Sequence, residues 1–316
     1  MDETVADSDA DGSPRAVAWS AAPPLDFTYA PPLQKRRIAL PVTLFVLTCL
    51  STFWTGSVRG EILPSGETVP VVSWSTGALY MLCVMSILLA HELGHFFTAL
   101  YYRVPASLPY FIPMPLLPLG TMGAVIGMKG SEADRKQLFD IGLAGPIAGL
   151  VLAVPIAWYG IATAVPYTGL VEPPLFMHNP WFFDLLAARL HPELPADQIY
   201  QSNPFYLAGW LGMLITGLNM MPVSQLDGGH VAYAVFGRWS RYLARALIVG
   251  VLIAVTWYGQ WQWVMMLLIL FMIGIDHPPT RNDRARIGVA RRIIGLIALL
   301  IPIFCLAPTP ISVAMP

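Results

Sequence analysis

The sequence predicts an all-α polytopic membrane protein with six to seven transmembrane helices and a re-entrant β-hairpin or loop after the second of them. Three observations carry this expectation. Of 316 residues, 56% are hydrophobic and only 12% charged, with a mean hydropathy of +0.60, too apolar for a water-soluble domain. The apolar residues gather into uncharged runs, most of them long enough to cross hydrocarbon. Lys and Arg concentrate in alternate connections between those runs, as a fixed orientation in a bilayer requires.

Residues 1–33 are acidic and then Pro-rich (AAPPLDFTYAPPLQ), a composition that cannot bury enough apolar surface to fold, and they read as a disordered cytosolic tail. The acidic start has no basic-then-apolar character, so no cleavable signal is expected. A transmembrane domain follows over 34–316. Its apolar segments fall at about 38–56, 73–101, 138–166, 204–222, 243–258, 262–275 and 290–307. The 262–275 segment is short for a full crossing. Between the second and third segments, Pro113, Pro115 and Pro118 rule out a regular helix, whereas 120–128 (GTMGAVIGM) reads as a short strand. An exposed strand edge there suits an unwound peptide partner. Cys49, Cys83 and Cys305 all lie in apolar segments and read as small buried hydrophobes. Trp257, Tyr258, Trp261 and Trp263 cluster at a segment junction as an interfacial aromatic belt does. In the 167–203 loop, NPWFFDLLAARLHPEL reads as an amphipathic helix lying in the interface.

Orientation follows from the cations. Lys35, Arg36 and Arg37 precede the first span, and Arg103, Lys129, Arg135 and Lys136 bracket the stretch between the second and third. Placing these inside also puts Arg238, Arg241, Arg245, Arg281, Arg284, Arg286, Arg291 and Arg292 inside and leaves Arg59 and Arg189 outside, which fits a cytosolic N-terminus; the acidic tail, without an Arg/Ser-rich transit-like start, suggests a bacterial cytoplasmic membrane. Nothing in the charge pattern points to nucleic acid.

Within the second apolar segment lies His91-Glu92-Leu93-Gly94-His95. An ionisable group at bilayer depth costs at least ~3 kcal/mol, so a Glu flanked by two His there marks a functional site. Four-residue spacing sets both imidazoles on one helical face, able to share one zinc ion, with Glu92 beside them to take a proton from water. Chance produces such a pentapeptide in roughly one chain of this size per hundred, and less often in apolar segments. A catalytic zinc takes three protein ligands. Asp227, in NMMPVSQLDGGH after the fourth apolar segment, is the candidate, presented from an unwound helix end by Pro222, Gly228 and Gly229. On spacing alone it is not distinguished from Asp140 and Asp276, which also lie at segment ends.

HELGH in one span plus NMMPVSQLDGG after a later one resembles the site-2 protease family of intramembrane zinc metalloproteases (peptidase family M50). The resemblance covers a catalytic core of about 73–235. It implies His91, His95 and Asp227 as ligands of one Zn2+ per chain, Glu92 as catalytic base, and Asn219 as a group that orients substrate or stabilises the oxyanion. It further implies hydrolysis of a peptide bond within or near a transmembrane helix of another membrane protein, in a lipid bilayer. The stretch after the first motif resembles the family's membrane hairpin. In LAGPIAGL, Gly145 and Gly149 form a small-residue pair that permits close helix contact, which reads as structural support. No inserted PDZ domain or following CBS pair is evident, so the chain resembles a compact member. DRK at 134–136 and the Pro-rich hairpin resemble the photosynthetic-type branch. His230 reads as a partner to the metal ligands or as a simple loop histidine, and His178, His191 and His277 are assigned no chemistry. The competing classes are a zinc-binding membrane transporter or sensor, which needs no general base beside its ligands, and an inactive protease-like scaffold.

Overall fold

The computed structural model describes residues 38–62, 68–115, 118–128, 130–166, 175–194, 200–201, 203–259 and 261–313. The tail expected over 1–33 lies outside them. Helix α1 (Ala39–Ser57) leads into a hairpin of β1 (Val58–Ile62) and β2 (Thr68–Val72), then α2 (Trp74–Tyr101), a second hairpin of β3 (Tyr110–Met114) and β4 (Gly120–Val125), and α3 (Arg135–Ala162). There follow α4 (Trp181–Leu190), α5 (Pro204–Asn219), α6 (Asp227–Phe236), α7 (Ser240–Tyr258), α8 (Val264–Ile273), α9 (Val289–Ala298) and α10 (Ile301–Cys305).

The protein is thus a mostly helical, multi-pass membrane protein. Among the described residues, four stretches are long and apolar enough to cross a membrane: α1, α2, α3 and Asp227–Trp257. The last is not one straight rod. Gly237 has φ 59°, a left-handed conformation that ends α6 and starts α7 in a new direction. Three of the seven expected segments are shorter or broken. Helix α5 stops at Asn219, three residues before the expected Pro222, and α8 has 10 residues. The 290–307 run divides at Leu299 and Leu300 because Pro302 fits the first turn of a helix and not its interior.

Helices α2, α3 and α5 pack against one another around Tyr80, Ala157, Trp210 and Met213, all buried. Helix α3 begins with a capping box: the Asp134 carboxylate accepts from the Lys136 and Gln137 amides, and the Gln137 side chain accepts from the Asp134 amide. Next to it, the Arg135 guanidinium donates to the carbonyls of Ala234 and Val235 at 2.6 and 3.1 Å. These are orphan carbonyls of the last turn of α6, so the DRK stretch ties the start of α3 to the end of α6.

The β3–β4 hairpin is antiparallel, with Phe111 opposite Ala124, Met114 opposite Gly120, and a register shift between Phe111 and Pro113. Pro113 lacks an amide donor, which is why the ladder slips there. The expected strand is shorter than 120–128, ending at Val125. The hairpin's turn is held from two helices: Ser51 of α1 donates to the Gly120 carbonyl at 2.6 Å, and Tyr80 of α2 donates to the Leu119 carbonyl at 2.8 Å. All three cysteines are free, and the Cys305 thiol lies 3.5 Å from the Met213 sulfur in the core.

Asp140, in the second turn of α3, accepts two hydrogen bonds from Arg291 of α9 at 2.8 and 3.0 Å and one from the Tyr102 hydroxyl, just after α2, at 2.6 Å. Three elements meet on one carboxylate. Asp140→Ala is expected to cost about 2 kcal/mol, the scale of charge-assisted hydrogen bonds, and to lower the thermal unfolding midpoint by several degrees. Asp140→Asn, which keeps an acceptor for Tyr102, lowers it less.

Candidate metal centre

Helix α2 carries His91, Glu92 and His95 inward to 2, 3 and 5% exposure, deeply buried for such side chains. Burial is possible because each imidazole finds partners. His95 Nδ1 donates to the carbonyl of Ile141 on α3 at 2.8 Å, which leaves Nε2 as the free lone pair. The neighbouring Pro146 lacks the amide that would bond the Gly142 carbonyl, so this turn of α3 is locally relieved of helical pairing.

The three groups named from sequence as ligands meet. His91 Nε2 is 3.2 Å from His95 Nε2 and 3.1 Å from Asp227 Oδ2, and His95 Nε2 is 3.3 Å from Asp227 Oδ1. Ligands bonded to zinc at about 2.0–2.1 Å in a tetrahedron stand about 3.3–3.4 Å apart. The donor spacings, with His91 facing one carboxylate oxygen and His95 the other, are therefore close to those that a tetrahedral cation requires, and two imidazoles with one carboxylate are a suitable donor set for zinc. Glu92 supplies a second sign of fit: its Oε2 is buried and has no hydrogen-bond partner among the described residues. A buried carboxylate oxygen is costly unless water or a cation answers it. Asn219 closes the group, its Nδ2 3.3 Å from His91 Nε2.

Asp227 is not on an unwound end, as its Pro-Gly surroundings suggest. It is the first residue of α6, where the helix N-terminus favours an anion. What is unwound is the 220–226 connection leaving α5, in which Ser224 adopts φ 55° and donates its amide to the Ile275 carbonyl. Gly228 and Gly229 are there for space. A Cβ on Gly228 would lie 2.0 Å from the Met220 carbonyl oxygen, and one on Gly229 would lie 2.3 Å from that of Ser224. Only glycine lets the first turn of α6 fold back onto the chain leaving α5.

Sequence reasoning missed the role of α3. Gly145 and Gly149 do permit close packing, but what they accommodate is the imidazoles themselves. A Cβ on Gly145 would stand 2.0 Å from His95 Nε2, and one on Gly149 3.1 Å from His91 Nδ1. The signal was present: two glycines four residues apart face two histidines four residues apart. His230 does not join the ligands; it pairs with His277, at 2.7 Å between Nδ1 and Nε2.

Residues 79–257 match the model of peptidase family M50. The chain is 32% identical over 239 residues to a protein of Arabidopsis thaliana named "Probable zinc metalloprotease EGY1, chloroplastic", covering 71% of this chain and 42% of that one. It is 30% identical to the Oryza sativa subsp. japonica protein of the same name, over 71% and 39%, and 28% identical to "Probable zinc metalloprotease EGY2, chloroplastic" of Oryza sativa subsp. indica, over 71% and 42%. The chain thus spans about two-fifths of the length of these relatives. All three are plant proteins named as chloroplastic, and they lend no support to a bacterial membrane. No solved structure matches.

If the glycines make room for the imidazoles, Gly145→Ala must displace His95 and is expected to weaken zinc binding at least ~10-fold by competition titration. Gly149→Ala, with its gentler 3.1 Å approach, is expected to do so less. Equal affinities in both variants and the unsubstituted protein would exclude this role.

Proposed function

The chain belongs to peptidase family M50, and from that premise we propose that it is a zinc metalloprotease hydrolysing a peptide bond within or near a transmembrane helix of a membrane-protein substrate. The observation that carries the proposal is the buried Glu92 Oε2, without a hydrogen-bond partner among the described residues, beside a group of donor atoms at zinc-binding spacing. A group that only stores or passes metal needs no base there.

His91, His95 and Asp227 would hold one zinc ion, which when bound supplies Lewis acidity and makes water a nucleophile at neutral pH. Glu92 accepts the proton from the attacking water and delivers it to the amide nitrogen as the C–N bond breaks. The Asn219 amide, adjoining this group, donates to the oxygen on which negative charge develops. Ile141 holds His95 through its Nδ1 so that the Nε2 lone pair keeps facing the centre. The apolar walls formed by α2, α3 and α5 exclude bulk water, which strengthens each of these interactions.

The remaining topology belongs to this reading. Seven crossings, the upper end of the expected six to seven, result if α5 and α6 together form one interrupted span, with the 220–226 break at the centre, and if α7, α8 and the α9–α10 pair each cross. The β3–β4 turn touches Ser51, about 18 Å along α1 from its start at 1.5 Å per residue, which supports a hairpin dipping into the membrane. The arginine pattern supports a cytosolic N-terminus.

Purified protein with a model single-span substrate tests the proposal. Glu92→Gln is expected to retain zinc and lose at least ~100-fold in cleavage rate, whereas Asp227→Ala loses both. Zinc binding without cleavage, together with an unchanged cellular phenotype in Glu92→Gln, would turn the assignment to a transporter or scaffold.

A further inference from the structure

A cavity of about 340 Å3 opens beside the metal centre, lined by Ile126, Met128, Ser131, Gln225, His230 and His277, with Gly130 and Pro278. Two of its residues flank a proposed ligand in sequence, Gln225 two before Asp227 and His230 three after it. His230 Cβ packs on Gly142, next to the Ile141 carbonyl that holds His95. On the opposite side, 126–128 prolongs the β3–β4 hairpin: the Ser107 amide donates to the Gly127 carbonyl, and Met128 bridges Ala106. The cavity therefore sits between the base of the hairpin and the start of α6.

Its hydrogen-bond polarity follows from a chain of three groups. The Pro278 carbonyl can only accept, so the His277 Nδ1 that lies 2.5 Å away is the protonated nitrogen. In a neutral ring His277 Nε2 is then the acceptor, and the nitrogen 2.7 Å from it, His230 Nδ1, must donate. Burial disfavours the charged form of His277. This arrangement leaves His230 Nε2 with an unused lone pair, and no side-chain partner for it occurs among the described residues. None of the described lining residues carries a formal charge, so an anionic guest would meet no compensating cation among them. Gln225 and Ser131 offer both donors and acceptors, and Ile126 and Met128 offer apolar contact.

We propose that this cavity is a substrate subsite accepting one uncharged, hydrogen-bond-donating side chain, that of Asn, Gln, Ser or Thr, with His230 Nε2 as its acceptor. The proposal rests on the proteolytic reading of the adjoining centre and adds a substrate class to it. Such a residue within a transmembrane segment is poorly solvated in lipid, and a polar recess beside the centre offers it partners.

The test separates binding from cleavage. A single-span Leu/Ala model peptide in detergent micelles is scanned position by position with Asn, Leu or Asp. Its affinity is measured for the full chain carrying Glu92→Gln. At one position Asn is expected to bind about tenfold more tightly than Leu or Asp. His230→Phe removes the acceptor, and Ser131→Leu fills the cavity from the hairpin side without touching α6. Each is expected to abolish the preference while leaving the all-Leu/Ala peptide bound as before, which also shows that the variant is folded. Equal affinity for all three residues at every position, or a preference that survives both variants, overturns the subsite. Cleavage by the chain with Glu92 intact is read separately. Selective binding with no cleavage counts against the proteolytic reading and leaves the cavity's selectivity standing.

Discussion

Two imidazoles and a carboxylate held 3.1–3.3 Å apart inside an apolar helix bundle set the terms for the rest of this structure. Three polar side chains so close, and so little exposed, are tolerable only where every lone pair and proton has a destination. Each neighbouring element answers that demand. Helix α3 supplies the Ile141 carbonyl, α6 starts on the Asp227 carboxylate so that its N-terminal amides favour the charge, and α5 ends on Asn219 beside His91. Within this group of described residues, Glu92 Oε2 stays unanswered, an atom with much to gain from a water molecule.

Space is the second constraint, and it explains residues that carry no chemistry. An imidazole placed at a helix–helix contact fits only where the facing helix has no side chain. The Gly145 and Gly149 positions on α3 meet this need at the four-residue interval of His91 and His95. Gly228 and Gly229 do the same for the turn that delivers Asp227. The DRK stretch then fixes the angle of α6 from its other end, because Arg135 takes up the carbonyls that helix leaves unpaired. The short α6 is thus tied down at both ends, and a carboxylate on its first residue has little freedom to wander.

Legibility in the sequence divided along physical lines. The first three spans were readable because an apolar helix that crosses lipid satisfies its own backbone and shows as an uncharged run. The later ones read less well. Pro302 cuts the last run, and Asn219 ends α5 early so that the chain can turn through Ser224 toward the centre. His91, Glu92 and His95 stood out because lipid makes such residues expensive. Asp227 needed a family resemblance, since Asp140 and Asp276 occupy similar places in the sequence. Asp140 binds Arg291 and Tyr102, and Asp276 lies 2.6 Å from Arg245, so both competitors are engaged elsewhere.

By itself the sequence determined what short-range chemistry determines: the apolar spans, the helical face shared by the two histidines, and the small-residue pair that lets helices approach. Only the tertiary structure decided which carboxylate meets the imidazoles, that the glycines of α3 face histidine rings, and that His230 turns to His277 beside a cavity. These are contacts between residues 46 to 136 positions apart. Local periodicity carries no information about such pairs; they are chosen by how the bundle packs.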